Sequence, residues 1–475
     1  MAKTTHHIRT PQEVLDIINI LESHGFEAYI VGGCVRDSLL HITPKDWDIA
    51  TNATPSEVIE VFRFYTHFRI FTMGIKYGTI RIHNPRTQHT QIHTNTHKYT
   101  QKNLQAHHST AHKPKPQIIE VTTFRIDGQY SDLRHPDGVC FVLSLEKDLS
   151  RRDFSINALA YSPTRDMFFD FFQGESDLKA RIIRCVGDPS KRFEEDCLRI
   201  LRALRFSASL PCFFHIEQHT KQAIFSLYHT LIKCPKERVQ IEFNKTLLGD
   251  FVSEVFREFF FVFRTLCPLL PNLATPNNPH FEDLCKALDS APKILEVRMG
   301  LFVYFLSLDS ATQSQNLALQ TLISLKYSKK TIDSIMTLLR YADTQIQANK
   351  PSIKAIIHAT STQSFALLLE FWKAQNKNKS KSGGRNKAKI YENPYHIRTL
   401  QSLFQDILLY DECTSLAQLA INGDMIKQIA KEENLTIQGA QIGAILKRLL
   451  DDVINDTLPN TPKALQSQAR QILNS

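Results

Sequence analysis

One stretch constrains this chain more than any other: Tyr29 to Thr51, YIVGGCVRDSLLHITPKDWDIAT. Tyr29, Ile30 and Val31 are a β-prone apolar run. Gly32 and Gly33 let the backbone turn sharply and approach a ligand closely. Arg36 and Asp37 open a short helix. Asp46 and Asp48 flank Trp47, and on an extended strand side chains two apart share a face. Two converging carboxylates repel unless a cation lies between them. Hard ions such as Mg2+ take oxygen ligands and keep positions open for phosphates. A glycine turn and an arginine beside such a pair therefore suggest a nucleoside triphosphate with its metal. The same spacing fits two acids on a solvated edge strand equally well, so spacing alone leaves both readings open.

The rest of the chain bounds these readings. Its 475 residues leave room for two to four units with substantial cores, and 42% hydrophobic content is ordinary for a soluble protein. Residues 1–11 are polar and carry no apolar signal-peptide core. The apolar run MGLFVYFLSL at 299–308 is too short to span a bilayer and reads as a buried helix. We expect a cytoplasmic protein with no membrane contact. Nine cysteines occur without a CxxC pair. That pattern predicts reduced thiols, no disulfide framework and no zinc site. Cys34, inside the glycine turn, is expected to fill space rather than act as a nucleophile.

The formal net charge is +9, and its location says more than its sum. Residues 86–117 hold five basic residues and no acid, and residues 373–389 hold seven and no acid. Setting those twelve aside leaves the remainder slightly acidic. Both runs suit a polyanion partner, or are simply solvated insertions. The first is rich in His, Thr, Gln and Lys and cannot build a core, so it reads as a mobile insertion. His89, His93 and His97 would share a helix face there. The threonines and missing caps speak against a helix, so no metal site is expected.

Along the chain, Val14, Ile17, Ile18 and Leu21 have helical spacing. Thr54, Pro55 and Glu57 form a helix start. Residues 67–71, 77–83 and 118–125 read as strands, and 178–186 as a last extended piece. Beyond Phe193 the pattern is successive amphipathic helices, beginning with 194–209, and we see no fixed-period repeat.

GGCVRDSLL followed by DWDIATNATP resembles the head of the class II tRNA nucleotidyltransferase and bacterial poly(A) polymerase family, in the polymerase β superfamily. IEVTTFR (119–125), YSDLRHPDGVCFV (130–142), RRDFSINALAY (151–161) and RFEEDCLRILRALRF (192–206) recur in the same order. The resemblance is strong over about residues 25–210 and weaker at the C-terminus. It implies an α+β protein: a mixed α/β nucleotidyltransferase head over 1–172, then an all-α neck (173–270), body (271–373), basic linker (374–390) and RNA-binding tail (391–475). The implied activity is template-independent addition of nucleotides to RNA 3′ ends, CCA on tRNA from CTP and ATP, with two Mg2+ ions. The alternatives are poly(A) addition, A-only or CC-only addition, and, remotely, a catalytically dead RNA-binding protein.

By the same resemblance, Asp46 and Asp48 bridge the metals, and Glu120 is the candidate third carboxylate. Gly32, Gly33, Arg36 and Arg152 hold the triphosphate. Asp153 accepts a hydrogen bond from the ribose 2′-hydroxyl; without the family it reads as an exposed helix start. Asp196 and Arg199, at i and i+3, are expected side by side on one helix. Cytosine and adenine each present an amino group and a ring-nitrogen acceptor, which match an aspartate and an arginine; guanine and uracil reverse both. In the resembled family this block serves as an amino-acid template, with Arg202 grouped among the nucleobase residues and Glu195 supporting. The family usually has proline where Cys197 stands. Some relatives carry a His–Asp phosphohydrolase domain; no His-Asp dipeptide occurs here, so no phosphatase activity is expected.

Overall fold

A computed structural model describes residues 7–84, 118–128, 138–267, 279–308, 314–376 and 394–474. The 86–117 insertion with its histidines, residues 130–137 of the YSDLRHPDG block and most of the 374–390 linker lie outside the described residues. The chain divides into two compact units, Met1–Glu242 and Phe243–Ser475, and the boundary falls inside the 173–270 stretch.

In the first unit, helix α1 (Gln12–Ser23) buries Val14, Ile17, Ile18 and Leu21, as its apolar spacing requires. Strand β1 (Ala28–Val31) is buried throughout. It leads through α2 (Gly33–Leu39) to β2 (Asp48–Thr51). Helix α3 (Pro55–Arg63) starts with a full capping box: Thr54 accepts from the Glu57 amide, and Glu57 accepts from the Thr54 amide. Strands β3 (Arg69–Gly74), β4 (Thr79–His83) and β5 (Ile118–Thr123) follow, then the short pair β6 (Arg125–Asp127) and β7 (Val139–Phe141). Helix α4 (Leu145–Ser150) precedes β8 (Leu159–Ser162) and β9 (Met167–Asp170).

The main sheet has the order β3-β4-β5-β2-β1-β8-β9. Most neighbours are antiparallel, but β2 and β5 are parallel, with Asp48 opposite Glu120. Strand β2 thus lies inside the sheet, which discards the solvated-edge reading of Asp48. The helices α5 (Gly174–Ala180), α6 (Pro189–Glu195), α7 (Leu198–Ser209), α8 (Gln218–Leu227) and α9 (Lys236–Leu247) follow. The two-residue strands β10 (Ile182–Ile183) and β11 (His215–Ile216) pair between them.

Three expectations are corrected here. The extended piece at 178–186 begins as the end of α5, with only Ile182 and Ile183 in a strand. The single helix at 194–209 is two, broken at Asp196, whose backbone is extended and whose Oδ1 accepts the Leu198 amide. Finally, Cys197 and Cys234 are joined by a disulfide, with Cα atoms 6.9 Å apart. A pair 37 residues apart leaves no local spacing signature.

In the second unit, α10 (Val252–Leu266), α11 (Pro279–Ser290), α12 (Leu295–Ser307), α13 (Ser314–Ser324), α14 (Lys329–Tyr341), α15 (Lys350–Ala359) and α16 (Thr362–Asn376) follow in order. Helix α12 is buried from Val297 to Ser307, which explains its uniformly apolar sequence. Its one buried cation, Arg298, donates to the carbonyls of Leu247, Gly249, Ala291 and Pro292. Helices α17 (Pro394–Leu409), α18 (Gly423–Glu432), α19 (Gly439–Ile454) and α20 (Pro462–Leu473) complete the chain. The last three pack around Ile426, Leu449, Leu450 and Leu465. Lys354, nearly buried, ties α15 to Glu412 and Asp456. No helix among the described residues is long and apolar enough to cross a membrane.

Candidate active site

Gly32 has φ +79°, and a Cβ there would lie 2.8 Å from Arg152 Nη1. Only glycine lets the β1–α2 turn close against that guanidinium. Arg152 donates to buried Asp148 through Nη2 at 3.2 Å, while its buried Nε has no hydrogen-bond partner. A buried unsatisfied donor of this kind is costly. Cys34, in the same turn, is buried and its thiol is pushed up to about 12 by that burial. It is protonated, and it fills the turn.

Asp48 starts β2, and Asp46 lies in the bend before it rather than on the strand. The Asp48 carboxyl is raised to about 6 by burial and by the charges of Glu120 and Asp46, against the opposing pull of Arg152. Burial is thus the main force against the charged form, and the oxygen donors Asp46 and Asp48 fit a hard divalent cation. Glu120 sits opposite Asp48 in register, but Arg81 Nε takes its carboxylate at 2.7 Å. Among the described residues no three His, Cys, Asp or Glu side chains converge on one metal position.

From the turn, a line of contacts runs across the head. Asp37 Oδ1 accepts from Arg36 Nη2 at 2.6 Å, and Arg36 Nη1 donates to Asn157 Oδ1 at 2.6 Å. Asn157 Nδ2 donates to Asp153 Oδ1 at 3.0 Å, and Arg202 Nε donates to Asp153 Oδ2 at 2.7 Å. Asp153 also accepts the Phe154 amide at 2.9 Å. Burial alone would raise the Asp153 carboxyl, but Arg202 and Asn157 outweigh it and hold the group down to about 2. Arg202, grouped with the base readers from sequence, therefore clasps the proposed ribose residue. Around the Phe206 ring stand three guanidiniums: Arg205 at 4.0 Å, Arg36 at 4.9 Å and Arg202 at 5.5 Å. Burial and Arg202 lower Arg205 to about 10.

Asp196 and Arg199 do not pair with each other. Asp196 sits outside α7, and its Oδ2 accepts from Arg238 Nη2 of α9 at 2.9 Å. Arg199 Nη1 donates to Glu195 at 2.5 Å and to the Arg192 carbonyl at 3.0 Å. The i,i+3 argument fails because the helix breaks at Asp196.

Sequence reasoning missed Asn157, Arg205 and Arg238. Arg205 continues the three-residue spacing of Arg199 and Arg202, which was a usable signal. Asn157 is polar amid core positions of RRDFSINALAY. Arg238 lies in the polar run KERVQ, which offered no signal.

Comparison with known proteins gives these residues a context. Residues 28–113 and 84–184 match the Poly A polymerase head domain, and residues 213–261 match the "Probable RNA and SrmB- binding site of polymerase A". The CCA-adding enzyme of Leuconostoc mesenteroides subsp. mesenteroides is 43% identical over 247 residues, covering 51% of this chain and 52% of that one. That of Anoxybacillus flavithermus is 40% identical over 264 residues, 56% of each chain. The chain thus spans about half the length of the curated relatives it matches. The fold is similar to that of the Bacillus stearothermophilus CCA-adding enzyme in complex with CTP, with TM-score 0.68, 24% identity and 98% of each chain covered. It is also similar to that of the Thermotoga maritima CCA-adding enzyme complexed with tRNA, with TM-score 0.57, 19% identity, and 98% and 97% covered. The glycine turn, the acid pair and the arginine line all lie within residues 28–206, and residues 28–184 of that stretch are similar to the Poly A polymerase head domain.

Proposed function

We propose that this chain is a nucleotidyltransferase that adds nucleotides to RNA 3′ ends, building CCA on tRNA from CTP and ATP. The observation that carries the reading is the acid pair Asp46 and Asp48, the second with its carboxyl raised to about 6 chiefly by burial, beside the Gly32–Arg152 turn. The head-domain match and the CCA-adding relatives at about 40% identity support it.

Asp46 and Asp48 would hold the Mg2+ ions, two on this reading, and bound metal supplies charge neutralisation at the α-phosphate and at the attacking and leaving oxygens. The RNA 3′-hydroxyl attacks the α-phosphate, a new P–O bond forms, and pyrophosphate leaves. Arg152 and Arg36, with the Gly32 and Gly33 backbone, orient the triphosphate. Glu120 acts through Asp48: it keeps the local charge negative while Arg81 holds it in place. Asp153 reads the ribose. Its acceptor positions are taken by Phe154, Asn157 and both Nε and Nη2 of Arg202, so Arg202 yields one contact to the 2′-hydroxyl. Asp196 and Arg199 read the base edge after exchanging their contacts with Arg238 and Glu195.

The test offers the purified protein tRNA lacking CCA, tRNA ending in CC, and an unstructured RNA, each with CTP, ATP or both. Addition that stops after CCA on tRNA supports the proposal. Long A tails on any RNA show poly(A) polymerase, addition of A or CC alone shows a partial enzyme, and no addition with Mg2+ overturns the reading.

A further inference from the structure

The main sheet places Asp48 at a seam between a covered and an open surface. On one face, Ile49 of β2, Ile119 and Val121 of β5, and Ile80 and Ile82 of β4 are buried. The residues that alternate with them point to the other face. There Asp48, Glu120 and Arg81 stand side by side, because Asp48 pairs with Glu120 and Glu120 with Arg81. Phe71 of β3 completes the row opposite Arg81, and Arg69 lies two residues along β3 on the same face. Over β1 and β8 this face is covered: Tyr29, Val31, Ala50 and Ala160 pack with Leu145 and Leu149 of α4 in one core cluster. Over β5, β4 and β3 it is open. The Arg81 and Glu120 side chains are 47% and 40% exposed, and Phe71 is 42% exposed.

Two cations frame the aromatic ring on the open half. Arg81 Nε and Nη2 both lie 2.7 Å from Glu120 Oε1, which leaves Nη1 without a partner among the described residues. Arg69 is exposed and makes no ion pair among the described residues. A cation, an exposed ring and a second cation on one surface are what holds single-stranded nucleic acid: the cations follow phosphates and a base stacks on the ring. The position of this surface says which strand it suits. On the nucleotidyltransferase reading the triphosphate lies at Gly32 and Arg152 and its ribose at Asp153, beside β1 and β8. Phosphoryl transfer needs its attacking and leaving oxygens nearly in line. Pyrophosphate leaves on the covered side of Asp48, so the attacking hydroxyl arrives from the open side. Neighbouring strands lie about 4.8 Å apart, which puts Arg81 about 10 Å from Asp48. One ribose with its 5′-phosphate, met by the arginine side chain, fills that gap.

We propose that the open half of this sheet face seats the 3′ end of the RNA being extended, with Arg81 on the phosphate that precedes the terminal nucleoside and Phe71 under the next base. The proposal rests on the nucleotidyltransferase reading and adds the acceptor side of the same site. Arg81 is a binding residue, and Glu120 positions it. Contacts to a phosphate and to the face of a base carry no sequence information. The seat therefore accepts a terminus that changes with every addition, while the choice of nucleotide stays on the incoming side.

The experiment uses the full chain and tRNA ending in CC, in two forms: natural, and with an uncharged methylphosphonate as its last internucleotide linkage. Dissociation constants are measured by filter binding without nucleotide over a range of salt. The parent should bind the methylphosphonate form about tenfold more weakly, as when one charge-assisted contact is lost. Arg81→Ala should bind natural tRNA about tenfold more weakly and should not distinguish the two forms. Its slope of log Kd against log salt should fall by about 0.7. Phe71→Ala should weaken binding about tenfold, and Phe71→Tyr should not. In single additions Arg81→Ala should raise KM for tRNA and leave KM for ATP unchanged. Arg81→Ala combined with Glu120→Gln should stay as weak as Arg81→Ala. A parent indifferent to the methylphosphonate overturns the seat, as does an equal methylphosphonate loss in the parent and Arg81→Ala. So does recovery in the double variant, which would trace the loss to the freed acid. Weakened self-association of Phe71→Ala with intact RNA affinity assigns the face to a second copy of the chain and also overturns it. A parent that adds no nucleotide with Mg2+ overturns the transferase reading instead, and the binding measurements still decide the seat.

Discussion

The two ends of the candidate site hold their charge in opposite ways. Around Asp48 burial, helped by Glu120 and Asp46 and opposed by Arg152, raises the carboxyl to about 6, and a nearby arginine keeps an unpaired buried Nε. Around Asp153 and Asp196 every carboxylate is already clasped, and Asp153 is held down to about 2. The first end lacks a partner and is built to receive one. The second is complete without ligand, so it must trade contacts to bind. On the proposed reading, affinity at the first would come from charge brought to a buried acid, and discrimination at the second from the quality of the exchange.

The sharpest way to break this comparison is Asp48→Ala. We expect nucleotide addition to fall about a thousandfold, a transition-state loss of about 4 kcal/mol, while the metal-free protein melts no lower than the parent because a repelling acid is gone. A clear loss of metal-free stability would make Asp48 a structural residue and erase the contrast. Asp153→Ala should do the reverse. Leaving Arg202 and Asn157 without their partner costs about 3–5 kcal/mol in a urea titration at pH 7, and the ATP-over-dATP preference should narrow. The Asp153 carboxyl is depressed in the folded state, from its ordinary 3.8 to about 2. Its contribution is therefore present above about pH 4 and disappears as the pH falls towards 2. The gap between parent and variant should close over that interval.

Arg199→Ala should relax discrimination against GTP and UTP by about 1–3 kcal/mol, a factor of roughly 5 to 150, read from competing single-nucleotide additions. An unchanged preference would mean that the arginine serves to hold the fold and does not read the base. The smallest effect lies outside both ends. Thr54→Ala removes the α3 cap and should cost about 1 kcal/mol of stability, with nucleotide preference unaltered.

Patterns that repeat locally were legible in the sequence. The apolar period of α1, the Thr54–Pro55–Glu57 start and the uniformly apolar α12 each specify an element by themselves. So did the glycine turn, because turn chemistry acts over a few residues, whereas Asp46, expected on the strand with Asp48, lies in the bend before it. What escaped depends on partners far apart in the chain. Asp196 finds Arg238 42 residues on, Cys197 finds Cys234, and Arg36 reaches Asn157 across 121 residues. The break at Asp196 escaped for a related reason: its side chain caps the next helix, a local contact that the periodicity of the flanking leucines hides.

The contacts from Asp37 through Arg36, Asn157 and Asp153 to Arg202 have a consequence for how a nucleotide is inspected. On the proposed reading, a polyphosphate that draws Arg36 off its aspartate also loosens the amide that steadies the sugar-sensing carboxylate. Checking for a ribose is then most stringent only once the phosphates have docked, and a bare nucleoside would be sorted poorly from its deoxy counterpart.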